Sequence, residues 1–277
     1  MKIARVTIGT QVVLACVEGD KATLLARDAG ESWIDPLRVW LETGRPVNAT
    51  DVLAFSETNV LAPVRAPQKI VCVGLNYTDH AAEQNKPLPK APMFFGKAPS
   101  AIVGPGDDIC FASDASSQVD YEAELAVVID RRCRNVSVEE ALDYVFGYTV
   151  CNDVSARDAQ ADDGQYYRAK SFDTFCPLGP WIVTADEVPD VQNLRITTKV
   201  NGELRQNGTT ADMVFGVAEI ISYASRFFTL EAGDVIPTGT PAGVGSGLVP
   251  PRYLQNNDTV EVAIEGIGAM TNTVRIS

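Results

Sequence analysis

One stretch near the middle of the chain joins a cluster of carboxylates to an apolar run. It is Asp120-Tyr121-Glu122-Ala123-Glu124-Leu125-Ala126-Val127-Val128-Ile129. Side chains two residues apart in a strand point to the same face, so Glu122 and Glu124 face together, with Asp120 next on that side. Carboxylates this close repel one another, and a divalent cation is the simplest group that neutralises them. The alternative is a polar strand end in water, but the apolar run that follows argues against a solvated rim.

A further candidate ligand comes at the end of another predicted strand. Residues 147–152 are predicted to form this strand, and Asp153 follows it directly. An aspartate at this position either caps the next turn or completes an oxygen-only site with Glu122 and Glu124. Oxygen ligands without histidine or cysteine suit Mg²⁺, Mn²⁺ or Ca²⁺, and three ligands leave positions for water or substrate.

His80 is the only histidine of the chain, which excludes metal sites that need two or three histidines from one subunit. Residues 79–84 are predicted to be helical, and Glu83 is therefore a neighbour of His80 on the same face. A carboxylate beside an imidazole orients the ring and raises its basicity, as a general base requires. The alternative is a structural or exposed histidine, and the spacing leaves both open.

Composition excludes several classes of function. The chain has 36 acidic and 23 basic residues, a net charge of −13. It would repel phosphate backbones, so nucleic acid and anionic membrane surfaces are excluded as main partners, whereas a small anionic substrate is compatible with local cations in a cleft. None of the six cysteines forms a CxxC pair, and free thiols are expected. The apolar runs are too short to span a membrane and no signal peptide is recognised, so we expect a cytoplasmic protein.

Turn residues divide the chain into two predicted domains. Residues 1–62 are predicted to form a small β-rich domain and residues 68–277 a larger one, with Pro63 and Pro67 bracketing the linker. Strands do not alternate regularly with helices, so an α+β, mostly β architecture is expected rather than a doubly wound sheet. Strands are predicted at residues 2–8, 11–17, 21–26, 69–74, 122–129, 147–152, 181–184, 195–200, 203–206, 259–264 and 269–276. Helices are predicted after Pro36 and at residues 79–84, 138–145 and 213–227.

Three other features carry weaker hypotheses. Arg168 and Lys170 lie close together in sequence and either hold a carboxylate or belong to a solvated loop. Arg157 either does likewise or pairs with Asp153 or Asp158. The segment 238–245, Thr-Gly-Thr-Pro-Ala-Gly-Val-Gly, either brings backbone N–H groups to an oxyanion or is a tight turn. It lacks the Gly-Lys-Ser/Thr ending of a P-loop, so nucleotide binding is not favoured.

Taken together, these motifs resemble the fumarylacetoacetate hydrolase family in its short bacterial form. The similarity spans residues 68–275 and depends on motifs that occur in order along the chain. They lie at residues 74–83, 120–125, 147–158, 170–173, 177–181, 201–202, 233–236 and 238–245. The resemblance implies a roll of mixed β-sheets preceded by a small, variable N-terminal domain.

The resemblance also implies roles for individual residues. Glu122, Glu124 and Asp153 match the family's ligands for Mg²⁺ or Mn²⁺, with Ca²⁺ as an alternative. His80 and Glu83 match its catalytic dyad, and Lys170 matches its substrate-contacting lysine. The polar positions of its substrate-binding set are matched by Arg157, Gln160 and Thr240. Ala169 stands where the family often has glycine.

The implied activity is metal-dependent chemistry on a small anionic 2-oxo acid. The main hypothesis is a hydrolase that cleaves the C–C bond of acylpyruvate-type substrates, releasing pyruvate and a carboxylic acid. The alternatives are a decarboxylase or isomerase/tautomerase of oxaloacetate-like or hydroxymuconate-type 2-oxo acids, or a non-catalytic oxo-acid-binding relative. The resemblance further implies a homodimer.

Overall fold

The computed structural model describes residues 1–9, 11–27, 52–55 and 60–277. The helix predicted after Pro36 lies outside these residues. The strands are β1 (Lys2–Ile8), β2 (Gln11–Glu18), β3 (Lys21–Arg27), β4 (Val52–Ala54), β5 (Val60–Leu61), β6 (Ile70–Gly74), β7 (Met93–Lys97), β8 (Ile102–Val103), β9 (Asp108–Phe111), β10 (Val119–Asp120), β11 (Ala123–Ile129), β12 (Val145–Asn152), β13 (Ser155–Ala156), β14 (Cys176–Thr184), β15 (Arg195–Val200), β16 (Glu203–Thr209), β17 (Val235–Pro237), β18 (Thr259–Ile264) and β19 (Gly268–Ile276). The α-helices are α1 (Thr78–Glu83), α2 (Arg157–Asp163) and α3 (Val217–Ser225), and 3₁₀ turns cover Pro99–Ala101, Ala141–Tyr144, Ala185–Glu187, Thr210–Asp212 and Gly245–Gly247.

Strand β11 lies in the interior of the larger sheet, between β12 and β17. Every residue of β11 is buried. Leu125, Val127 and Ile129 belong to one hydrophobic core, whereas Ala126 and Val128 belong to a second core on the opposite face. Because both faces are covered, the strand has a continuous apolar run instead of alternating apolar and polar residues.

Two sheets with both parallel and antiparallel pairs form the body of the molecule. In the described residues the larger sheet follows the order β4-β3-β2-β1-β14-β12-β11-β17-β6-β7, and the smaller follows β16-β15-β18-β19-β9. β17 pairs with β6 in parallel, and β19 pairs with β9 in parallel. The first core joins β11 to residues of the smaller sheet such as Val262 and Ile264, so it lies between the sheets. The predicted mostly β architecture with mixed sheets is confirmed.

The N-terminal strands continue the larger sheet. β1 pairs with β14 through Lys2 and Ile3, opposite Val183 and Ile182. β2 and β3 follow outward from β1. The division of the chain between residues 62 and 68 stays a prediction.

Two helical predictions need correction. Residues 138–145 form only the 3₁₀ turn Ala141–Tyr144, and Val145 already begins β12. Val138 and Leu142 are exposed, and the buried Val145 pairs with Ile129 in the larger sheet, so the helical turn ends at Tyr144. The helix predicted at residues 213–227 is confined to α3. It begins after Gly216, whose N–H donates to the Glu219 carboxylate at 2.8 Å, and Met213 instead forms a β-bridge with Tyr77.

The remaining predicted strands and the Asn201-Gly202 hairpin are confirmed to within a few residues at their ends. Among the described helices, none has the length and apolarity needed to cross a membrane.

Candidate active site

Strand register brings three carboxylates together. β11 and β12 are antiparallel, with Ala123 opposite Asn152 and Glu124 opposite Cys151. The start of β11 therefore lies beside the end of β12, and the Asp153 N–H donates to the Glu122 carbonyl at 2.9 Å. Carboxylate oxygens of Glu122, Glu124 and Asp153 lie within 4.8 Å of one another, and all three residues are buried. The structure thus groups the three residues that the sequence selected as metal ligands.

Two buried lysines compensate part of this negative charge. Lys170 Nζ contacts Glu122 Oε2 at 2.7 Å and Asp153 Oδ2 at 2.6 Å. Lys97 Nζ contacts Asp153 Oδ1 at 2.6 Å and the Val154 carbonyl at 3.2 Å. Burial alone would lower the pKa of a lysine ammonium. The negative charge of Asp153 outweighs burial and raises the pKa of both lysines above the ordinary lysine value, and Glu122 raises the pKa of Lys170 in the same way. Both therefore stay charged.

Arg157 and Asp120 form a third ion pair at the edge of the cluster. Arg157 Nε and Nη2 both lie 2.9 Å from Asp120 Oδ2, and Nη2 lies 2.7 Å from Glu122 Oε1. The suggestion that Arg157 pairs with Asp153 or Asp158 is therefore wrong. Asp120 lies on the side of Glu122, as expected, because Arg157 Nη2 contacts both carboxylates. It is not part of the triad, since its carboxylate holds Arg157 and accepts from the Gly245 and Ser246 N–H groups.

Glu122 and Glu124 have opposite electrostatic environments. Burial opposes the charge of Glu122, but Lys170 and Arg157 outweigh it and hold the pKa of Glu122 well below its usual range. Burial and the nearby Asp153 and Glu122 raise the pKa of Glu124 well above its usual range. Among the described residues, no lysine or arginine pairs with Glu124, which accepts from the Gly239 N–H at 2.8 Å. This carboxylate lacks a cation.

The donor set fits a hard divalent cation. Three buried carboxylates supply oxygen only, which is the ligand type that Mg²⁺, Mn²⁺ and Ca²⁺ prefer. Glu124 has no cation of its own, so a bound ion would compensate a charge that the protein leaves uncompensated. The acidic triad therefore indicates a divalent metal centre.

The glycine-rich segment 238–247 directs its backbone N–H groups at carboxylates of the protein itself. Gly239 donates to Glu124, Ala242 to Asp79, Gly243 to Glu83, and Gly245 to Asp120. Gly243 has φ of +103°, and a Cβ there would lie 2.2 Å from the Arg205 carbonyl oxygen, so only glycine fits. The predicted oxyanion contacts exist, but these internal carboxylates take them.

His80 and Glu83 are neighbours on α1, as predicted. His80 Nδ1 lies 3.1 Å from Glu83 Oε2. An ionised carboxylate only accepts, so Nδ1 carries the hydrogen and Nε2 keeps its lone pair. The Glu83 carboxylate is fixed in turn by the Gly243 N–H at 2.8 Å. His80 is buried but lines the same cleft as Glu122 and Glu124, so the imidazole is placed to exchange a proton there.

The cleft contains about 430 Å³ of empty space, part of which is open to solvent. The predicted substrate contacts Arg157, Gln160, Lys170 and Thr240 all line it. The predicted metal ligand Asp153 and the predicted catalytic residue Glu83 are not among its lining residues. Gln160 Oε1 accepts from Arg157 Nη1 at 3.3 Å. Thr240 Oγ1 accepts from Gln206 Nε2 at 2.7 Å. Arg168 lies away from Lys170 and pairs with Asp163 at the surface, so the two cations do not act together.

Sequence reasoning missed several residues of this site. Lys97 ends the apolar strand β7, and a lysine closing an apolar strand was the available signal for a buried ion pair. Gln206 is fully buried and joins Thr240, Pro241 and the Ala123 N–H, but nothing in its sequence context indicated this. Further residues that line the cleft are Gln84, Lys86, Phe95 and Tyr166.

Comparison with known proteins identifies the family. The model of the fumarylacetoacetate (FAA) hydrolase C-terminal family matches residues 69–275. The chain belongs to the fumarylacetoacetate hydrolase family. Members of this family include hydrolases, isomerases and tautomerases.

Three relatives illustrate this range of activities. The chain is 40% identical over 271 residues to the oxaloacetate tautomerase YisK of Bacillus subtilis, which covers 97% of this chain and 87% of YisK. It superposes with a TM-score of 0.87 on the fumarylacetoacetate hydrolase of psychrophilic Exiguobacterium antarcticum, at 41% identity and with both chains fully covered. It also superposes with a TM-score of 0.82 on the maleylpyruvate hydrolase of Sphingobium sp. SYK-6 in complex with manganese(II) and pyruvate, at 31% identity and full coverage of both chains.

Proposed function

We propose that this protein is a metal-dependent tautomerase that interconverts the keto and enol forms of oxaloacetate or a similar 2-oxo acid. The observation that carries the proposal is a cleft lined by His80, Glu122 and Glu124, in which Glu83 contacts His80 and the buried Asp153 completes the acidic triad. The similarity to the oxaloacetate tautomerase of B. subtilis supports this reaction over the acylpyruvate hydrolysis that the sequence favoured. The proposal therefore adopts the isomerase/tautomerase alternative.

Glu122, Glu124 and Asp153 would hold the metal, which we propose to be Mg²⁺ or Mn²⁺. When bound, such an ion supplies Lewis-acid polarisation of the 2-oxo group and so acidifies the adjacent C–H bond. The manganese(II) bound by the related maleylpyruvate hydrolase supports this choice of metal.

His80 would move the proton. In the keto-to-enol direction, Nε2 takes a proton from the carbon beside the 2-oxo group, and the C–H electron pair forms the new C=C bond. Nε2 then gives that proton to the 2-oxo oxygen, which completes the enol and returns the imidazole to its neutral form. The reverse direction runs these transfers backwards. Glu83 stabilises the imidazolium that exists between the transfers, since its carboxylate contacts Nδ1.

Lys170 and Arg157 would bind and orient the substrate. Lys170 keeps its ammonium because Asp153 and Glu122 favour the charged form, so it serves as a hydrogen-bond donor and not as a base. Arg157 is fixed by Asp120, and Gln160 and Thr240 offer neutral polar groups in the same cleft.

The metal dependence of tautomerisation tests this proposal. We expect the protein, loaded with Mg²⁺ or Mn²⁺, to accelerate the decay of the enol's ultraviolet absorbance in oxaloacetate solutions above the uncatalysed rate. Glu124→Gln should remove both metal binding, measured by calorimetry, and this acceleration. Full activity in excess chelator would contradict the proposal.

Hydrolysis of a C–C bond remains the second candidate. The likeness to a maleylpyruvate hydrolase favours it, and His80 with Glu83 would then activate a water molecule in place of a substrate C–H bond. Both reactions use the same metal ligands and cations, so product analysis is needed to distinguish them. The homodimer implied by the family resemblance also stays a prediction.

A further inference from the structure

The chain turns sharply where α1 ends, and this turn fixes the backbone of Lys86. Asn85 adopts a left-handed conformation with φ of +52°. Its N–H donates to the Ala82 carbonyl at 3.0 Å, and the Lys86 N–H donates to the Ala81 carbonyl at 2.9 Å. These two bonds form a Schellman motif, which anchors the following residue to the last turn of the helix. Lys86 is therefore attached to the same short helix that carries His80 and Glu83.

Lys86 differs from the other cations that line the cleft. Lys170 and Arg157 are each within 3 Å of buried carboxylates. Lys86 also lines the cleft but is exposed, and it forms no ion pair with any residue that the structure describes. Its ammonium is thus available to a ligand without the loss of an internal contact.

A 2-oxo diacid needs a cation at this position. Its first carboxylate lies beside the 2-oxo group, where the metal ligands and inner cations are found. Its second carboxylate lies at the other end of the molecule and requires its own partner, because an uncompensated carboxylate in a partly closed cleft is costly.

We propose that Lys86 binds the distal carboxylate of a 2-oxo diacid and makes the protein selective for diacids over monoacids. This inference rests on the proposed function and adds the class of substrate and the residue that selects it. Gln84, which also lines the cleft, offers an amide donor beside it. Since Lys86 is tied to α1, the distal carboxylate also links the ligand to the helix that presents His80.

Calorimetric titration with two matched probes tests the proposal. The probes are oxaloacetate and its 4-methyl ester, which keeps the 2-oxo acid but removes the distal charge. We expect the Mn²⁺-loaded protein to bind oxaloacetate at least about tenfold more tightly than the ester, as a hydrogen bond to a charged group contributes. Lys86→Gln should reduce this ratio to below about twofold, and Lys86→Arg should retain most of it.

Lys90 provides a matched control. It is an exposed lysine four residues further on, and it does not line the cleft. Lys90→Gln should leave the ratio unchanged, which separates a direct contact from a general loss of positive charge. Equal affinity of the wild-type protein for both probes, or an unchanged ratio in Lys86→Gln, would overturn the proposal. If the ratio behaves as expected but no tautomerisation occurs, the role of Lys86 stands and the proposed reaction fails.

Discussion

Glu122 and Glu124 are two residues apart on the same side of the chain, yet their environments differ. Lys170 and Arg157 contact Glu122, whereas Glu124 receives only the Gly239 N–H among the described residues. The pKa of Glu122 is lowered and that of Glu124 is raised as a result. The charged form of Glu122 is therefore favoured by its neighbours, whereas that of Glu124 is disfavoured unless a cation binds beside it.

At the residue scale, His80 offers the most specific test of proton transfer. His80→Ala should lower the rate of tautomerisation by roughly 10²–10⁴, the usual contribution of a positioned acid or base. Mn²⁺ affinity, measured by calorimetry, should stay unchanged because His80 is not among the carboxylate ligands. A variant that tautomerises oxaloacetate at the wild-type rate would show that His80 is structural.

The buried ion pair between Lys97 and Asp153 gives a test of how this cluster contributes to stability. Lys97→Met should lower the free energy of unfolding by about 3–5 kcal/mol, since it leaves a fully buried Asp153 without one of its two cations. Urea denaturation in the presence of chelator measures this difference. Lys199→Met is the control, because Lys199 and Glu261 form a half-exposed pair that contributes at most about 1 kcal/mol. Equal losses in the two variants would contradict this account of the buried pair.

At the scale of elements, the segment 238–247 holds the strands and α1 in a fixed relation. Its N–H groups bind Glu124 on β11, Asp120 on β10, and Asp79 and Glu83 on α1. Asn76, just before α1, adds hydrogen bonds to the carbonyls of Phe215 and Thr238. The backbone of this segment therefore contacts both the strands that carry the acidic residues and the helix that carries His80 and Glu83.

Gly247 gives a test of that scaffold. A Cβ on this residue would lie 2.2 Å from Glu83 Cδ, so Gly247→Ala should displace the Glu83 carboxylate from His80. We expect kcat to fall about tenfold or more, with little change in metal affinity. In the Glu83→Ala background, the same substitution should have no further effect, as a double-mutant cycle measures. An equal loss in both backgrounds would show that Gly247→Ala acts elsewhere.

The elements also show what local sequence can and cannot predict. The two carboxylates at the start of β11, Glu122 just before it and Glu124 within it, were recognisable from two-residue spacing, and the Asn201-Gly202 hairpin from its turn residues. The pairing of β11 with β12, which brings Asp153 to Glu122 and Glu124, depends on register between distant segments. Local sequence offered this grouping only as one of two alternatives, and the family resemblance chose between them. Lys97 is 56 residues from Asp153, and no local pattern encodes their contact.

For the whole molecule, an acidic composition is compatible with the proposed anionic substrate because the cleft contains cations. The net charge is −13, yet Lys86, Arg157 and Lys170 all line the cleft beside the metal ligands. A local group of cations can bind a small anion while the outer surface repels polyanions. Since hydrolases and tautomerases of this family share a fold, the reaction is decided by the substrate that this cleft orients towards His80.

The most direct test of the account compares two reactions of one Mg²⁺-loaded preparation. The measurement is kcat/KM for the tautomerisation of oxaloacetate against kcat/KM for the hydrolysis of an acylpyruvate, with products identified in both cases. The account predicts that tautomerisation has the larger value and that Glu124→Gln abolishes it. A larger value for acylpyruvate hydrolysis, with release of pyruvate, would contradict the proposed reaction and favour a C–C bond hydrolase.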